Sequence, residues 1–226
     1  MQTLVLFDID GTLLEITGNN GHFQAYKDAF RKVFDAGISI TWGELQGYTE
    51  QMTIYEALGR EGVSRDEIKK KMKQCMSAIS DSFNRNLEKT EISQLPGIPR
   101  LLDELKSHGA MLGLVTGNLS AVAEGKLRKI GIFDYFSVGG FGEDHINRAE
   151  LVRIAVGKAK KKGFTGNGIF LVGDSIFDIK AGKEAGVKTI GVLTGHTPEA
   201  NLKAAGSDYV LKDLSDTKIF LKIIGQ

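Results

Sequence analysis

Short apolar segments alternate with longer amphipathic ones over most of the chain. The apolar segments lie at residues 3–9, 110–115, 135–138, 168–172, 187–193 and 208–211. Between them, apolar positions recur with helical spacing at residues 97–108, 120–130 and 148–162 and in a segment ending at Ala185. Strands that alternate with helices predict a parallel sheet with helices on both faces.

The segment after the first predicted strand is different, because helical periodicity runs almost throughout it. Helices are predicted at residues 22–36, 50–60 and 65–88, and Ser64 with Glu67 three positions later forms a capping-box pattern for the last one. The fold class is therefore α/β, with a Rossmann-like core and an inserted helical cap. The predicted core is residues 1–16 and 92–226, the cap is 17–91, and linkers are expected near 16–21 and 87–95.

Two carboxylates end the first apolar run. Asp8 and Asp10 follow it directly, and Gly11 allows the chain to turn sharply after them. Folding does not require two acids at the end of a core strand, because burying unpaired carboxylates is costly. We therefore expect a metal site that takes part in chemistry.

Polar residues also end two later strands of the predicted sheet. Thr116, Gly117 and Asn118 follow the strand at 110–115, and Asp174 follows the strand at 168–172. Since the carboxyl ends of parallel strands meet at one edge, these residues should gather beside Asp8 and Asp10.

These segments resemble three motifs of the haloacid dehalogenase-like superfamily, in the right order. Asp8-Ile-Asp-Gly-Thr resembles the first motif, Thr116-Gly-Asn the second, and Gly173-Asp-Ser-Ile-Phe-Asp178 the fourth. The helical insert resembles the cap of the phosphoglycolate phosphatase-like and β-phosphoglucomutase-like branches.

The resemblance implies roles for the acids. Asp8 would be the nucleophile that forms an aspartyl-phosphate, and Asp10 would protonate the leaving alcohol and then activate water. Mg²⁺ would bind Asp8, the backbone carbonyl of Asp10 and Asp174. Asp178, one helical turn further on, would contact the metal through water or lie just outside its ligands.

The phosphate-binding residues implied by the resemblance lie in the second motif. The Thr116 hydroxyl would donate to a phosphoryl oxygen, and the backbone amides of Gly117 and Ile9 would add further donors. Asn118 completes the predicted phosphate-binding segment.

The third motif departs from the family pattern, which places a lysine, often Lys-Pro, before the helix leading to the fourth motif. This chain has Asn147-Arg148-Ala149 instead, so Arg148 is the first candidate for the cation that neutralises phosphate. Lys126 is the second candidate, although its position also suits a lysine on a helix surface.

The cap offers candidate substrate contacts in the segment Gly47-Tyr48-Thr49-Glu50. Tyr48 and Thr49 are the residues predicted to face the site, and the alternative for Thr49 is a helix N-cap. The four histidines, His22 among them, lack metal-ligand spacing.

Composition limits the function classes. The chain has 226 residues, a net charge of +1 and one cysteine, with no apolar run long enough to span a bilayer. We therefore expect a cytoplasmic protein without a nucleic-acid or membrane partner, whose oligomeric state the sequence does not define.

The predicted function is a magnesium-dependent phosphatase of a small phosphorylated metabolite, with phosphoglycolate as the default substrate of the branch it resembles. A phosphomutase of a sugar phosphate is the main alternative, because it uses the same motifs. A non-catalytic binding or regulatory protein is a further alternative, which the intact acid set disfavours. A dehalogenase would lack an acid at Asp10.

Overall fold

The computed structural model describes residues 2–17, 21–45 and 47–226, apart from the side chain of Trp42. The strands are β1 (Thr3–Phe7), β2 (Leu14–Thr17), β3 (Glu91–Gln94), β4 (Met111–Val115), β5 (Val138–Gly140), β6 (Gly168–Gly173), β7 (Lys188–Val192) and β8 (Tyr209–Leu211). The α-helices are α1 (Gly21–Phe34), α2 (Glu50–Arg60), α3 (Arg65–Asn86), α4 (Ile98–Ser107), α5 (Ser120–Lys129), α6 (Arg148–Lys161), α7 (Ile176–Ala185), α8 (Glu199–Ala204) and α9 (Thr217–Ile224).

Six strands form a parallel sheet in the order β5-β4-β1-β6-β7-β8. β1 lies between β4 and β6, and Phe7 at its end pairs with Leu114 on one side and Val172 on the other. Because these three strands end level with one another, the polar residues that follow them meet at one edge. The predicted fold class is confirmed.

Alternate side chains of β1 pack into two separate cores. Val5 and Phe7 are fully buried in a cluster that also contains residues of α4, α5 and α9. Leu4 and Leu6 are fully buried in the opposite cluster, which contains residues of α6 and α7. Helices therefore cover both faces, as a parallel sheet requires.

The inserted helices α1, α2 and α3 have a core of their own. Phe30, Ile54 and Phe83 are fully buried there, as is the cysteine, Cys75. Leu119 and Val122, which lie beside and within α5, belong to the same cluster. The cap is therefore packed against the second-motif side of the sheet.

A two-stranded ribbon replaces the predicted linkers. β2 pairs antiparallel with β3, and Ile16 is opposite Ile92. These two strands were not predicted in the expected linkers, because four-residue strands whose partners are far apart in sequence give little local signal. The domain boundaries at 16/17 and 91/92 fall within this ribbon and stay a prediction.

Smaller differences lie elsewhere in the core. The strand predicted at 135–138 is a 3₁₀ turn at Phe133–Tyr135 followed by β5, and the helices α8 and α9 were not predicted. Among the described residues, no helix combines the length and the apolar character needed to cross a bilayer.

Candidate active site

Asp8 leaves β1 in a fixed position. Its backbone amide donates to the Val172 carbonyl at 2.9 Å, which continues the β1–β6 pairing by one residue. Gly11 then adopts a φ of +80°, and a Cβ atom there would lie 2.7 Å from Oδ2 of Asp174. Glycine is therefore required both for the turn and for the close approach of Asp174.

Three carboxylates gather at this edge. Asp8, Asp174 and Asp178 each offer an oxygen, and these oxygens lie within 4.8 Å of one another. Burial raises the pKa of Asp8 to about 7, despite the opposing charge of Arg148, and burial together with Asp178 and Asp8 also raises the pKa of Asp174. The group could hold a metal ion, because like charges this close are stabilised by a cation.

Arg148 balances part of this negative charge. It is buried at the start of α6, and its Nη2 lies 2.7 Å from Oδ1 of Asp8 and 2.6 Å from Oδ1 of Asp178. Its Nε also donates to Oδ1 of Asp178 at 2.9 Å. The first candidate for the third-motif cation is thus in contact with the candidate nucleophile.

Both carboxylate oxygens of Asp178 accept hydrogen bonds from other residues of the protein. Its Oδ2 accepts from the backbone amide of Ser175 at 3.1 Å and from the Ser175 hydroxyl at 2.5 Å, which completes a capping box on α7. Its Oδ1 receives Arg148. These contacts make Asp178 a positioning residue for Arg148, and its contact with a metal stays a prediction.

Lys126 lies inside the protein. Its Nζ lies 2.8 Å from both carboxylate oxygens of Asp10 and 2.8 Å from Oδ1 of Asn118. The interpretation as a surface lysine was wrong, since the residue is fully buried. Lys126 also pairs with Asp10 instead of Asp8, so it differs in role from Arg148.

Lys126 and Asn118 together determine the pKa of Asp10. Burial alone would raise the pKa of its carboxyl, but the Lys126 charge and hydrogen bonds from Lys126 and Asn118 outweigh that effect, so the pKa is lowered. The structure therefore favours the ionised form of Asp10.

The second motif connects Asp10 to the candidate phosphate site. Asn118 Nδ2 donates to Oδ2 of Asp10 at 2.8 Å and to the Thr116 hydroxyl oxygen at 2.7 Å. Thr116 also accepts from the Asn118 amide at 3.2 Å, and among the described residues no acceptor takes its hydroxyl hydrogen. A Cβ atom on Gly117 would lie 2.1 Å from the Tyr48 carbonyl, so the cap docks directly on this loop.

A cavity of about 570 Å³ opens above these residues, between the sheet edge and the cap. Asp8, Asp10, Thr116, Arg148 and Asp174 line its floor. Tyr48 lines its wall, and the Tyr48 ring packs edge-on against the ring of Phe177.

Thr49 has a different place from the one predicted. It is fully buried and is not among the described residues that line the cavity. Its hydroxyl accepts from the Met52 amide at 3.4 Å and donates to the Ile146 carbonyl at 2.9 Å. The N-cap alternative is thus the role that the structure gives Thr49, and the proposed substrate contact is withdrawn.

Comparison with known proteins identifies the family. A model of the family described as haloacid dehalogenase-like hydrolase matches residues 5–192. The chain belongs to this family.

Its relatives include several phosphatases. The chain is 28% identical over 214 residues to a phosphoglycolate phosphatase of Vibrio vulnificus, covering 94% of this chain and 92% of that protein. It is 31% identical over 144 residues to pyrophosphatase PpaX of Bacillus velezensis, covering 62% of this chain and 65% of that protein. The prediction of a phosphatase of this family is confirmed.

A solved structure shares the fold. The β-phosphoglucomutase of Clostridium difficile superposes with a TM-score of 0.75 at 20% identity, covering 100% of this chain and 98% of that one. At this identity the likeness shows a common fold and does not identify a reaction.

Among the cavity residues that sequence reasoning missed are three buried polar residues of this hydrolase's cap. His22, Tyr26 and Glu50 are buried and line the cavity. His22 Nδ1 lies 3.3 Å from Lys126 Nζ, and burial together with the Lys126 charge lowers the pKa of His22. His22 and Tyr26 lie four residues apart on the buried face of α1, a spacing that indicates a packed helix face and gives no signal for the cavity.

Proposed function

We propose that this hydrolase is a magnesium-dependent phosphatase that hydrolyses a small phosphate monoester through an aspartyl-phosphate on Asp8. One observation carries the proposal. Asp8 ends the central strand, is paired with Arg148 at 2.7 Å, and opens onto a cavity of about 570 Å³. A carboxylate held between a guanidinium and further acids suits in-line attack on phosphorus.

The residues present fit a magnesium ion. Asp8, Asp174 and the backbone carbonyl of Asp10 would hold it, and all three offer the hard oxygen ligands that Mg²⁺ prefers. Burial, together with the charge of the neighbouring carboxylates, raises the pKa values of Asp8 and Asp174, and a bound cation would oppose both effects. When bound, the ion supplies positive charge beside the phosphoryl oxygens.

The chain's own residues account for positioning and proton transfer. An oxygen of Asp8 attacks phosphorus, while Arg148 balances the charge of Asp8 and the phosphoryl group. The Thr116 hydroxyl and the Gly117 amide bind phosphoryl oxygens. Asp10 gives a proton to the leaving oxygen and then takes one from the water that hydrolyses the phosphoenzyme.

The state of Asp10 in this structure suits the second of these steps. Its low pKa, maintained by Lys126 and Asn118 against the effect of burial, keeps the carboxylate ready to accept a proton from water. An ionised Asp10 has no proton to donate, so the departure of a poor leaving group, which needs protonation, is slower. Esters with good leaving groups should therefore react even where proton donation is weak.

Two phosphorylated substrates come from the names of relatives, phosphoglycolate and pyrophosphate. A phosphomutase is the alternative reaction, supported by the fold shared with a β-phosphoglucomutase. A phosphatase releases inorganic phosphate, whereas a mutase interconverts sugar phosphates without net release. Phosphate release and isomerisation of a sugar phosphate, assayed in parallel, separate the two.

The first experiment is hydrolysis of p-nitrophenyl phosphate by the purified protein with Mg²⁺ and with EDTA. We expect turnover that requires Mg²⁺ and is lost in Asp8→Asn and Asp10→Asn. Asp213→Asn, which changes a partly exposed acid outside the cavity, is the matched control and should retain activity. Metal-independent turnover, or full activity of Asp8→Asn, contradicts the proposal.

A further inference from the structure

Glu50 is fixed beside the candidate phosphate site. It is the first residue of α2 and only 1% exposed, and its backbone amide donates to the Gly117 carbonyl at 2.9 Å. Its Cβ atom packs on the glycine at position 142, where an added Cβ would lie 2.8 Å away. The side chain therefore cannot shift without disturbing the contact between cap and core.

One oxygen of the Glu50 carboxylate has no donor among the residues that the structure describes. Glu50 shares a hydrogen bond with Tyr26, and its Oε2 lies 3.8 Å from Nε2 of His22. Its Oε1 is buried and, among the described residues, has no hydrogen-bond partner. A buried acceptor without a donor is costly, and Glu50 lines the cavity. A hydroxyl or ammonium group of a bound molecule would satisfy it.

The charge of the cavity points to the same ligand chemistry. Among its described lining residues, the acids are Asp8, Asp10, Glu15, Glu50 and Asp174. Among these lining residues there is no lysine, and the one guanidinium is that of Arg148, already paired with Asp8 and Asp178. The buried Lys126 behind the lining is paired with Asp10, so neither cation is left to balance Glu50. The residues outside the described ranges carry no charged side chain that could add a cation.

We propose that Glu50 is a specificity residue that accepts a hydrogen bond from the leaving group. The substrate is then a phosphate monoester of an alcohol that carries no negative charge and has a further hydroxyl or ammonium group. The inference rests on the proposed phosphatase function. An anionic leaving group, such as that of phosphoglycolate or pyrophosphate, would face the Glu50 carboxylate without a cation to balance it.

Four esters with two-carbon leaving groups test this directly. Aminoethyl, hydroxyethyl and ethyl phosphate and phosphoglycolate differ at one end only, which is respectively an ammonium, a hydroxyl, a methyl or a carboxylate. We expect kcat/KM for the aminoethyl and hydroxyethyl esters to exceed that of the other two by about 10-fold or more, the usual effect of a hydrogen bond to a buried charge. p-Nitrophenyl phosphate is measured beside them.

Two variants assign the preference to one carboxylate. Glu50→Gln keeps the shape and removes the charge, so we expect the preference over phosphoglycolate to shrink by about 10-fold. Glu15→Gln removes a charge from the exposed rim of the same cavity, where solvent screens it, and should leave the preference unchanged. Thermal denaturation checks that both variants are folded.

The outcomes are distinguishable. Turnover of p-nitrophenyl phosphate with no preference among the four esters, or with a preference for phosphoglycolate, overturns the inference and leaves the phosphatase intact. Failure to hydrolyse any of the five compounds overturns both. The wild-type comparison stands even if Glu50→Gln does not fold.

Discussion

The carboxylate group at the end of β1 should make the metal-free protein less stable as pH rises. Burial raises the pKa of Asp8 from 3.8 to about 7, although Arg148 opposes the shift. The folded protein therefore holds a proton that the unfolded chain releases at lower pH. The free energy of unfolding is highest at a pH below the pKa of Asp8 in the unfolded chain. It falls as pH rises between that pKa and the pKa of Asp8 in the folded protein, and it levels off at higher pH. Asp174 contributes in the same direction, because its pKa is also raised.

The magnitude follows from the shift of Asp8. Roughly three pKa units at about 1.4 kcal/mol each give a total of about 4 kcal/mol. About 3 kcal/mol of this is lost between about pH 5 and about pH 8. For a chain of this size, that loss lowers Tm by about 6–12 °C.

Thermal denaturation in EDTA at about pH 5 and at about pH 8 measures this loss of stability, and Asp8→Asn is the control. The other ionisable groups are present in both proteins, so the difference between the two pH slopes reports the Asp8 carboxyl together with its effect on the pKa of Asp174. Mg²⁺ should restore wild-type stability near the higher pH and add little near the lower one, because the ion binds the ionised carboxylates. Parallel slopes for the two proteins, or an equal Mg²⁺ effect at both pH values, would refute the reasoning.

Two other predictions concern residues that position the acids. Lys126→Met removes the ammonium that lowers the pKa of Asp10, so the acidic limb of the pH–rate profile should move to higher pH. The exposed Lys129→Met is the control and should leave that limb where it is in the wild type; an unmoved limb in Lys126→Met contradicts the role of Lys126. Gly195→Ala places a Cβ 1.7 Å from Oδ2 of Asp174, so Mg²⁺ affinity measured by titration should fall by about 10-fold or more. Gly157→Ala lies inside α6, where the added Cβ would meet no described atom within 4 Å outside the backbone of its own helix, so it should keep that affinity and raise the free energy of unfolding by about 1 kcal/mol.

The sheet could be predicted because its strands are local apolar runs. β1, β4 and β6 are almost entirely buried, so each is a short hydrophobic segment ended by a turn. The ribbon of β2 and β3 could not be predicted, because its strands are short and largely exposed. The residues of the whole cap also separate the two strands in the sequence. Such pairing is decided by tertiary structure and leaves little trace in either segment alone.

The same distinction applies to the site. Asp8, Thr116 and Asp174 could be predicted together because each directly follows a strand of one sheet, and Asp10 because it lies two residues after Asp8. The sequence could not show that Arg148 pairs with Asp8 and Lys126 with Asp10, because these pairings depend on how α6 and α5 pack against the sheet. Lys126 had a usable signal, since it shares a helical face with Val122, Ala123 and Leu127, all buried.

The cap residues show where local reasoning ends. Glu50 belongs to the cavity only because the start of α2 docks on Gly117. His22 belongs to it because α1 brings the imidazole to Lys126. Both contacts join segments that are far apart in the chain, so no local pattern could assign them.

The central claim is that Asp8 carries the phosphoryl group between the two half-reactions. Mixing the enzyme and Mg²⁺ with excess p-nitrophenyl phosphate, quenching in acid and analysing the peptides by mass spectrometry tests this. The account predicts one added phosphoryl group on Asp8, released by hydroxylamine and missing in Asp8→Asn. Rapid turnover with no phosphorylated Asp8 at any quench time, or a phosphoryl group on another residue, would contradict it.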